Sequence, residues 1–388
     1  MKILALTSIR SEYDLMSNLY RLLDQDPDTD FRLLVSGAHL SPTQGMTVNN
    51  IRSDGLTILA EVESLLSADS PSSRLKSAST LLAGSIDVVR AFAPDLILFA
   101  GDREDVLVGA MLGSFLGIPT LHFFGGDHAV DGHIDNPVRH ATSKLASAHF
   151  VSLPQHRERL LAMGEAAHRI AVIGSVALDK FVSEPPLSRA AVLAELDAGV
   201  HAATHPLAIL IFHPLEDERE QAPAYVRNAV EALLEQGFHV CIGLPNTDPG
   251  SFGVVAAIER YAGHEGVTFY RNLPRSCFVN LMRVARLIVG NSSAGLLEAP
   301  SVPLAAINIG KRQRGRLAAA NVIFTEGDAG SIRAAITTAL SPAFQQELAG
   351  MDNPYGDGRS SLRALDLIKS LDFSALLRKT EDPLASSP

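Results

Sequence analysis

The sequence predicts an α/β protein of two parallel-sheet domains, and three observations carry that prediction. Short apolar runs of the kind that fill strands buried on both faces recur along the 388 residues. Helical patterns separate them, as right-handed strand–helix–strand units require. The alternation breaks once, across residues 179–206 with Pro185, Pro186 and Pro206, and then restarts, so this stretch is expected to be a linker between two Rossmann-like domains. A chain of this length is sufficient for two cores.

In the first half, residues 2–7 alternate into a strand that ends at Thr7-Ser8-Ile9-Arg10-Ser11. Ser11 is the expected N-cap of a helix with Leu15, Leu19 and Leu22 on one face. Strands follow at 31–36, 95–100, 118–123, 149–152 and 170–173, while the Ser-rich stretch 64–79 is expected to be a mobile surface helix or loop. In the second half, strands are expected at 207–212, 239–243, 267–270, 287–289 and 304–307. Ligands of such sheets bind beyond the carboxyl ends of the strands, and polar residues gather there.

The most suggestive strand end is Gly290-Asn291-Ser292-Ser293-Ala294-Gly295. A tight turn of small residues opening a helix presents free N–H groups to an anion. It is not a P-loop, because Leu296 and Leu297 stand where Lys and Ser or Thr would be needed; nor is it a nucleophile elbow, because neither serine lies between glycines. The next strand end, Asn308 to Arg316, carries Arg312 and Arg316 among glycines, so the two loops are suited to one diphosphate. The plainer alternatives are a Ser-capped helix and a solvated charge run.

Three acids stand at or beyond strand ends in the first half: Asp102, Asp127 and Asp135. Paired carboxylates in a dry cleft suit proton abstraction and return, although each could instead cap a helix or shape a turn. His213 directly follows a strand and is a candidate phosphate or sugar contact. His122, His128, His133, His140 and His149 cluster without the spacing of a zinc site, so no metal is expected.

Composition narrows the partners. A formal charge of −10 argues against bulk nucleic-acid binding, and the absence of Trp leaves no evident stacking platform. No apolar run approaches the ~20 residues that cross a bilayer. The first residues read as a strand and not a signal peptide, and Cys241 and Cys277 have no paired spacing, which fits reduced thiols in the cytoplasm.

Taken in order, these segments resemble the UDP-N-acetylglucosamine 2-epimerases, and the hydrolysing branch most. The resemblance rests on Thr7 with Arg10, Glu12 and Tyr13; Ser36-Gly-Ala-His39-Leu-Ser41; Gly101-Asp102-Arg103; Asp135 with Arg139-His140 and Lys144; Gly174-Ser175; Phe212-His213-Pro214; Gly290-Asn-Ser-Ser293 with Gly295 and Glu298-Ala-Pro-Ser301; Asn308-Ile-Gly310 with Arg312-Gln313 and Gly315-Arg316; and Asn353 to Gly358.

The resemblance implies a glycosyltransferase-B-like architecture of two Rossmann-like domains facing a cleft. Residues 1–178 would form the first domain and 179–358 the nucleotide-binding second, with a helix at 359–378 returning to the first and a disordered tail at 379–388. It implies elimination of UDP and hydration of the glycal to N-acetylmannosamine, or to a deoxy or diacetamido analogue, for sialic or other nonulosonic acids. No cofactor is implied, and a homodimer is expected. By matching positions, Asp102, Asp127, Asp135 and His213 are the catalytic candidates. Arg10, His39, Arg103, Arg139, His140, Asn291, Ser292, Ser293, Gly295, Glu298, Arg312 and Arg316 would bind substrate.

Two departures stand out. Where the branch usually has His-Gly-Gly-Glu, this chain has Phe124-Gly125-Gly126-Asp127, and Ser8-Ile9 replaces Gly-Ser before Arg10. An apolar ring in place of a histidine points to a sugar with fewer hydroxyls.

Overall fold

The computed structural model describes residues 1–67, 70–129, 134–245 and 250–382. They form two units: residues 1–128, 134–179 and 355–382 build the first, and 180–354 the second. The divisions fall at 179/180 and 354/355. The stretch 180–206 is not a free linker, however. It forms helices Lys180–Ser183, Arg189–Glu195 and Val200–Thr204, and Val192, Leu193 and Ala202 are buried in the second unit's core.

The first unit has seven parallel strands: β1 (Lys2–Thr7), β2 (Asp30–Ser36), β3 (Ile58–Val62), β4 (Leu96–Ala100), β5 (Thr120–Phe123), β6 (Ala148–Val151) and β7 (Ile170–Val172). Their order is β3-β2-β1-β4-β5-β6-β7. The second has six: β8 (Leu207–Ile211), β9 (His239–Gly243), β10 (Val267–Tyr270), β11 (Leu287–Gly290), β12 (Ala305–Ile309) and β13 (Val322–Thr325), in the order β10-β9-β8-β11-β12-β13. Both are doubly wound, and the strand order reverses between β1 and β4 in one and between β8 and β11 in the other. Crevices open at such reversals, so the loops after these four strands are where each unit is built to bind.

Several local expectations change. Helix Arg10–Gln25 starts at Arg10 behind Ile9, so Ser11 is not its cap; the buried stripe is Tyr13, Met16, Leu19, Tyr20 and Leu23 rather than Leu15, Leu19 and Leu22. Residues 71–79 belong to a long helix, Pro71–Phe92, whose first turn is capped by the Ser70 side chain. β3 and β13 escaped the sequence reading. Both are edge strands and mostly half-buried, so neither shows a continuous apolar run.

Helix Ser360–Ser370 packs within the first unit, its first turn held by Asp179, which accepts from the Ser360 and Ser361 amides at 3.0 and 2.6 Å. The expected disorder does not begin at Lys379. Its Nζ donates to buried Glu165 at 2.5 Å, and Arg169 pairs with Glu381 and with the Leu376 and Arg378 carbonyls. Residues 383–388 lie outside those described.

Candidate active site

In the first unit, the loops after β4 and β5 meet helix Asp135–Leu145, which brings Arg139 under the three acids. Arg139 is 4% exposed and donates to Asp102 through Nη2, while Nη1 lies 3.1 Å from Asp127 Oδ2, close enough for charge pairing though not aligned as a hydrogen bond. Burial works against its charge, but Asp102, Asp127 and Asp135 together hold the guanidinium above its usual range. Asp135, the first residue of its helix, also pairs with Arg74 at 3.3 Å, and Arg74 in turn binds Glu104 at 2.5 Å. The acids are therefore one cluster. Arg139, expected as a substrate contact, is its buried centre.

The backbone beneath Asp102 is fixed by a residue the sequence offered only as part of a histidine cluster. His122, fully buried on β5, donates from Nε2 to the Gly101 carbonyl at 2.9 Å, and its Nδ1 lies 3.0 Å from Ser143 Oγ. A carbonyl only accepts, so the Nε2–H tautomer is required. Burial first, then the neighbouring cationic groups, pushes its pKa down to about 3, so the ring stays neutral. Its strand position beside a Gly-Asp loop is the signal that could have marked it. His149 is also buried, bonded to Glu165, and the His128 and His140 rings stack at 5.6 Å. His133 lies outside the described residues.

A second group of ionisable residues surrounds β1. Thr7 Oγ1 donates to Glu12 Oε2 at 2.6 Å and accepts from His39 Nε2 at 3.0 Å, while His39 Nδ1 meets Thr47 Oγ1 at 2.8 Å. His39, expected to touch substrate, has both ring nitrogens engaged and is fully buried. Burial, then the charge of Arg10, pushes its pKa down to about 3. Burial likewise raises Glu12 to about 8, with Asp105 adding repulsion, and raises Asp105 to about 6. Arg10 opens helix Arg10–Gln25 and is half-buried beside this network; Arg103 stands at the start of helix Glu104–Leu116. Neither Glu12 nor Asp105 was singled out as a site residue from sequence.

In the second unit, the serine turn follows β11 as expected, but Asn291 does not face outward. Its Oδ1 accepts from the His213 amide at 2.8 Å and its Nδ2 donates to the His213 carbonyl at 2.7 Å, joining the ends of β8 and β11. The Asn291 carbonyl accepts from Arg312 Nη1 at 3.1 Å and from buried Gln313 at 3.0 Å, and Gln313 Oε1 accepts from Arg316 at 2.9 Å. Arg312 and Arg316 are thus gathered beside the serine turn, while Arg314 turns away to Glu326. At Gly290, φ is +130° and a Cβ would lie 1.9 Å from the Ile211 carbonyl oxygen, so no other residue fits.

Ser292 and Ser293 are half-buried at the turn, and Ser292 Oγ accepts from the Ala294 amide at 3.3 Å. The helix they open, Ala294–Leu297, is a single turn, so its dipole is small, and what the turn offers an anion is its local N–H groups and the neighbouring arginines. Gly295 lets this turn sit against β12, a Cβ there being 3.3 Å from that of Ala306. Glu298, expected at the ligand, forms a buried ion pair with Lys180 at 2.5 Å. Among the described residues no group of metal-binding side chains occurs, and no helix is long and apolar enough to cross a membrane.

Solved structures share the fold: the UDP-GlcNAc 2-epimerase of Neisseria meningitidis, bound to UDP-GlcNAc, superimposes with a TM-score of 0.79 at 17% identity over 96% of this chain and all of that one. The architecture is accordingly glycosyltransferase-B-like. The Legionella pneumophila UDP-N,N'-diacetylbacillosamine 2-epimerase (hydrolyzing) is 31% identical, covering 97% of this chain and 98% of the relative. The Campylobacter jejuni GDP/UDP-N,N'-diacetylbacillosamine 2-epimerase (hydrolyzing) is 30% identical over 84% of each. The family model for UDP-N-acetylglucosamine 2-epimerase matches residues 21–369, and with that extent of agreement the chain belongs to the UDP-N-acetylglucosamine 2-epimerase family of enzymes.

Proposed function

We propose that this enzyme is a hydrolysing 2-epimerase whose preferred substrate is a UDP-linked 2,4-diacetamido-2,4,6-trideoxyhexose. The observation that carries the reaction is the gathering of Asp102, Asp127 and Asp135 around Arg139. One carboxylate takes the C2 proton as the C1–oxygen bond to UDP breaks, leaving a 2-acetamidoglycal. Water then adds its oxygen to C1, and a proton returns to C2 from the opposite face. The sum is UDP-sugar plus water giving UDP and the free C2 epimer. Two carboxyl groups on one fixed cation suit this exchange of base and acid roles.

In this reading the second unit holds the nucleotide diphosphate through Ser292, Ser293, Arg312 and Arg316, with His213 as a further contact, and the first performs the proton transfers. The sugar assignment is supported by Phe124, half-buried where the branch usually has histidine, and by the names of the two relatives above. A homodimer, a cytoplasmic setting and a nonulosonic acid as end product belong to the same reading.

The test is incubation with UDP-diacetamido-trideoxyglucose, and separately with UDP-N-acetylglucosamine, in deuterated water, followed by proton NMR. The expected result is UDP with a free diacetamido sugar inverted and deuterated at C2. UDP-N-acetylglucosamine should react at least about tenfold less efficiently, the size of effect one or two altered pocket contacts give. A preference for UDP-N-acetylglucosamine would overturn the sugar assignment. Return of an intact epimerised nucleotide sugar would overturn the hydrolytic one.

A further inference from the structure

We propose that His156 is a positioning residue for Asp127, holding its carboxylate against Arg139 from the other side. The inference rests on the reading of Asp127 as an acid–base group. Asp127 closes the loop Phe124-Gly125-Gly126-Asp127 after β5, and Phe124 in that loop has a φ of +64°, a conformation unfavourable for a residue with a side chain. Something must hold the loop in place. The neighbouring element is helix Pro154–Ala162, and its first turns touch the loop at three points.

Gly126, at φ +74°, lies so close that a Cβ would be 2.3 Å from the His156 carbonyl oxygen. Arg159 donates through Nη1 to the Gly126 carbonyl. The His156 Nε2 lies 3.4 Å from Asp127 Oδ1. Asp127 therefore has a different neighbour on each oxygen: Oδ2 faces Arg139 at 3.1 Å, and Oδ1 faces His156 and accepts from the His128 amide at 2.8 Å.

His156 is 5% exposed, and among the described residues its Nδ1 is buried with no hydrogen-bond partner. A histidine serving only to fill space would leave two buried polar atoms at a cost that a phenylalanine avoids. Facing a carboxylate, its Nε2–H instead has an acceptor, at a separation that closes to a hydrogen bond with small movement, as catalytic contacts do when substrate enters. The other ionisable groups around this carboxylate are Arg139 and His140 on helix Asp135–Leu145, His128 in the same loop and Arg159 beside His156. Of the described side chains paired with Asp127, Arg139 is a permanent cation and His156 a ring that can donate to the other oxygen.

Two substitutions separate positioning from packing. His156→Phe keeps the volume and removes the donor; kcat should fall at least about tenfold while KM for the nucleotide sugar stays within about threefold. His156→Gln restores a donor near Nε2 without a charge, and should recover most of kcat at neutral pH. Unchanged kcat in His156→Phe would overturn the proposal.

A readout independent of turnover is NMR of the enzyme carrying 13C at histidine Cε1. The His156 signal, identified by its loss in His156→Phe, should move at neutral pH in Asp127→Asn by more than that of His239 in the second unit, because the carboxylate facing Nε2 is gone. An unmoved His156 signal would show no coupling and would also sink the proposal. If no nucleotide sugar is turned over at all, the proposed reaction fails, and the NMR comparison still decides whether His156 and Asp127 act on one another.

Discussion

The two units share a strand order and a place for their loops, yet what stands at the reversal point differs in kind. The first unit gathers ionisable groups that contact each other: Asp102, Asp127 and Arg139 in one cluster, Glu12 and His39 in another. In the second, the amides of Asn291 and Gln313 tie the loops together and hold Arg312 and Arg316 beside hydroxyls. Mutual ionisation makes a site whose proton affinities are adjustable, as proton transfer needs. An amide-braced site has fixed donors, as anion binding needs. In the proposed reading, the same topology serves two different jobs.

The largest expected effect comes from breaking the first kind of site. Arg139→Met leaves two carboxylates beside a buried hole, and removing one partner of a buried ion pair costs about 3–5 kcal/mol. Thermal unfolding should drop accordingly, and turnover should be lost. Arg312→Met, the matched change in the second unit, should weaken UDP binding about tenfold or more while costing about 1 kcal/mol of stability for its bond to the Asn291 carbonyl, which Gln313 still satisfies. If calorimetry and UDP titration find the two variants alike, the division of labour is wrong.

A smaller effect is expected at the amide brace. Asn291→Ala strips the His213 amide and carbonyl of their partners, and each unsatisfied buried group costs about 1–3 kcal/mol. Denaturant unfolding should register that loss together with weaker UDP binding. Ser293→Ala, at the same turn, should affect UDP binding alone. Equal stabilities in the two variants would mean that Asn291 is a ligand contact after all.

The fold was legible because its central strands are continuous apolar runs. β4 reads Leu-Ile-Leu-Phe-Ala and is buried throughout. Edge strands β3 and β13 lack that signal, and helix Pro71–Phe92 hid behind serines, its buried apolar residues Leu81, Val89 and Phe92 falling late in the segment. Site residues were legible as residue types at strand ends, which is how Asp102, Asp127 and Ser292 stand out. Roles were not. That Arg139 is the centre of the acids, that His122 pins Gly101 and that Asn291 is a brace all depend on which chain-distant groups the fold brings together, and no spacing encodes that.

The gentlest test of the comparison is pH. In the first unit, acidification meets opposed responses. His39 and His122, depressed to about 3, bind protons more readily unfolded, so their contribution is lost as pH falls below the ordinary histidine value of 6.5. Glu12 and Asp105, raised to about 8 and about 6, bind protons more readily folded, so their contribution grows as pH falls from those values toward the ordinary carboxylate range. Over pH 6 to 4.5 these two pairs largely offset each other, while His149 and His140, both held below the ordinary histidine value chiefly by burial, add a loss of stability on the acid side. The second unit has His239, fully buried, 3.2 Å from His201 Nδ1 and depressed to about 4 by burial and then by His201 and His205. There the described groups with resolved shifts provide no raised carboxyl in opposition. The second unit should therefore lose about 1.4 kcal/mol per pH unit between 6.5 and 4. Hydrogen exchange corrected for its intrinsic pH dependence should find β8 to β10 losing protection as the pH falls through this window, and His239→Gln should reduce that loss. The same loss in His239→Gln would mean that another group carries the acid response of the second unit.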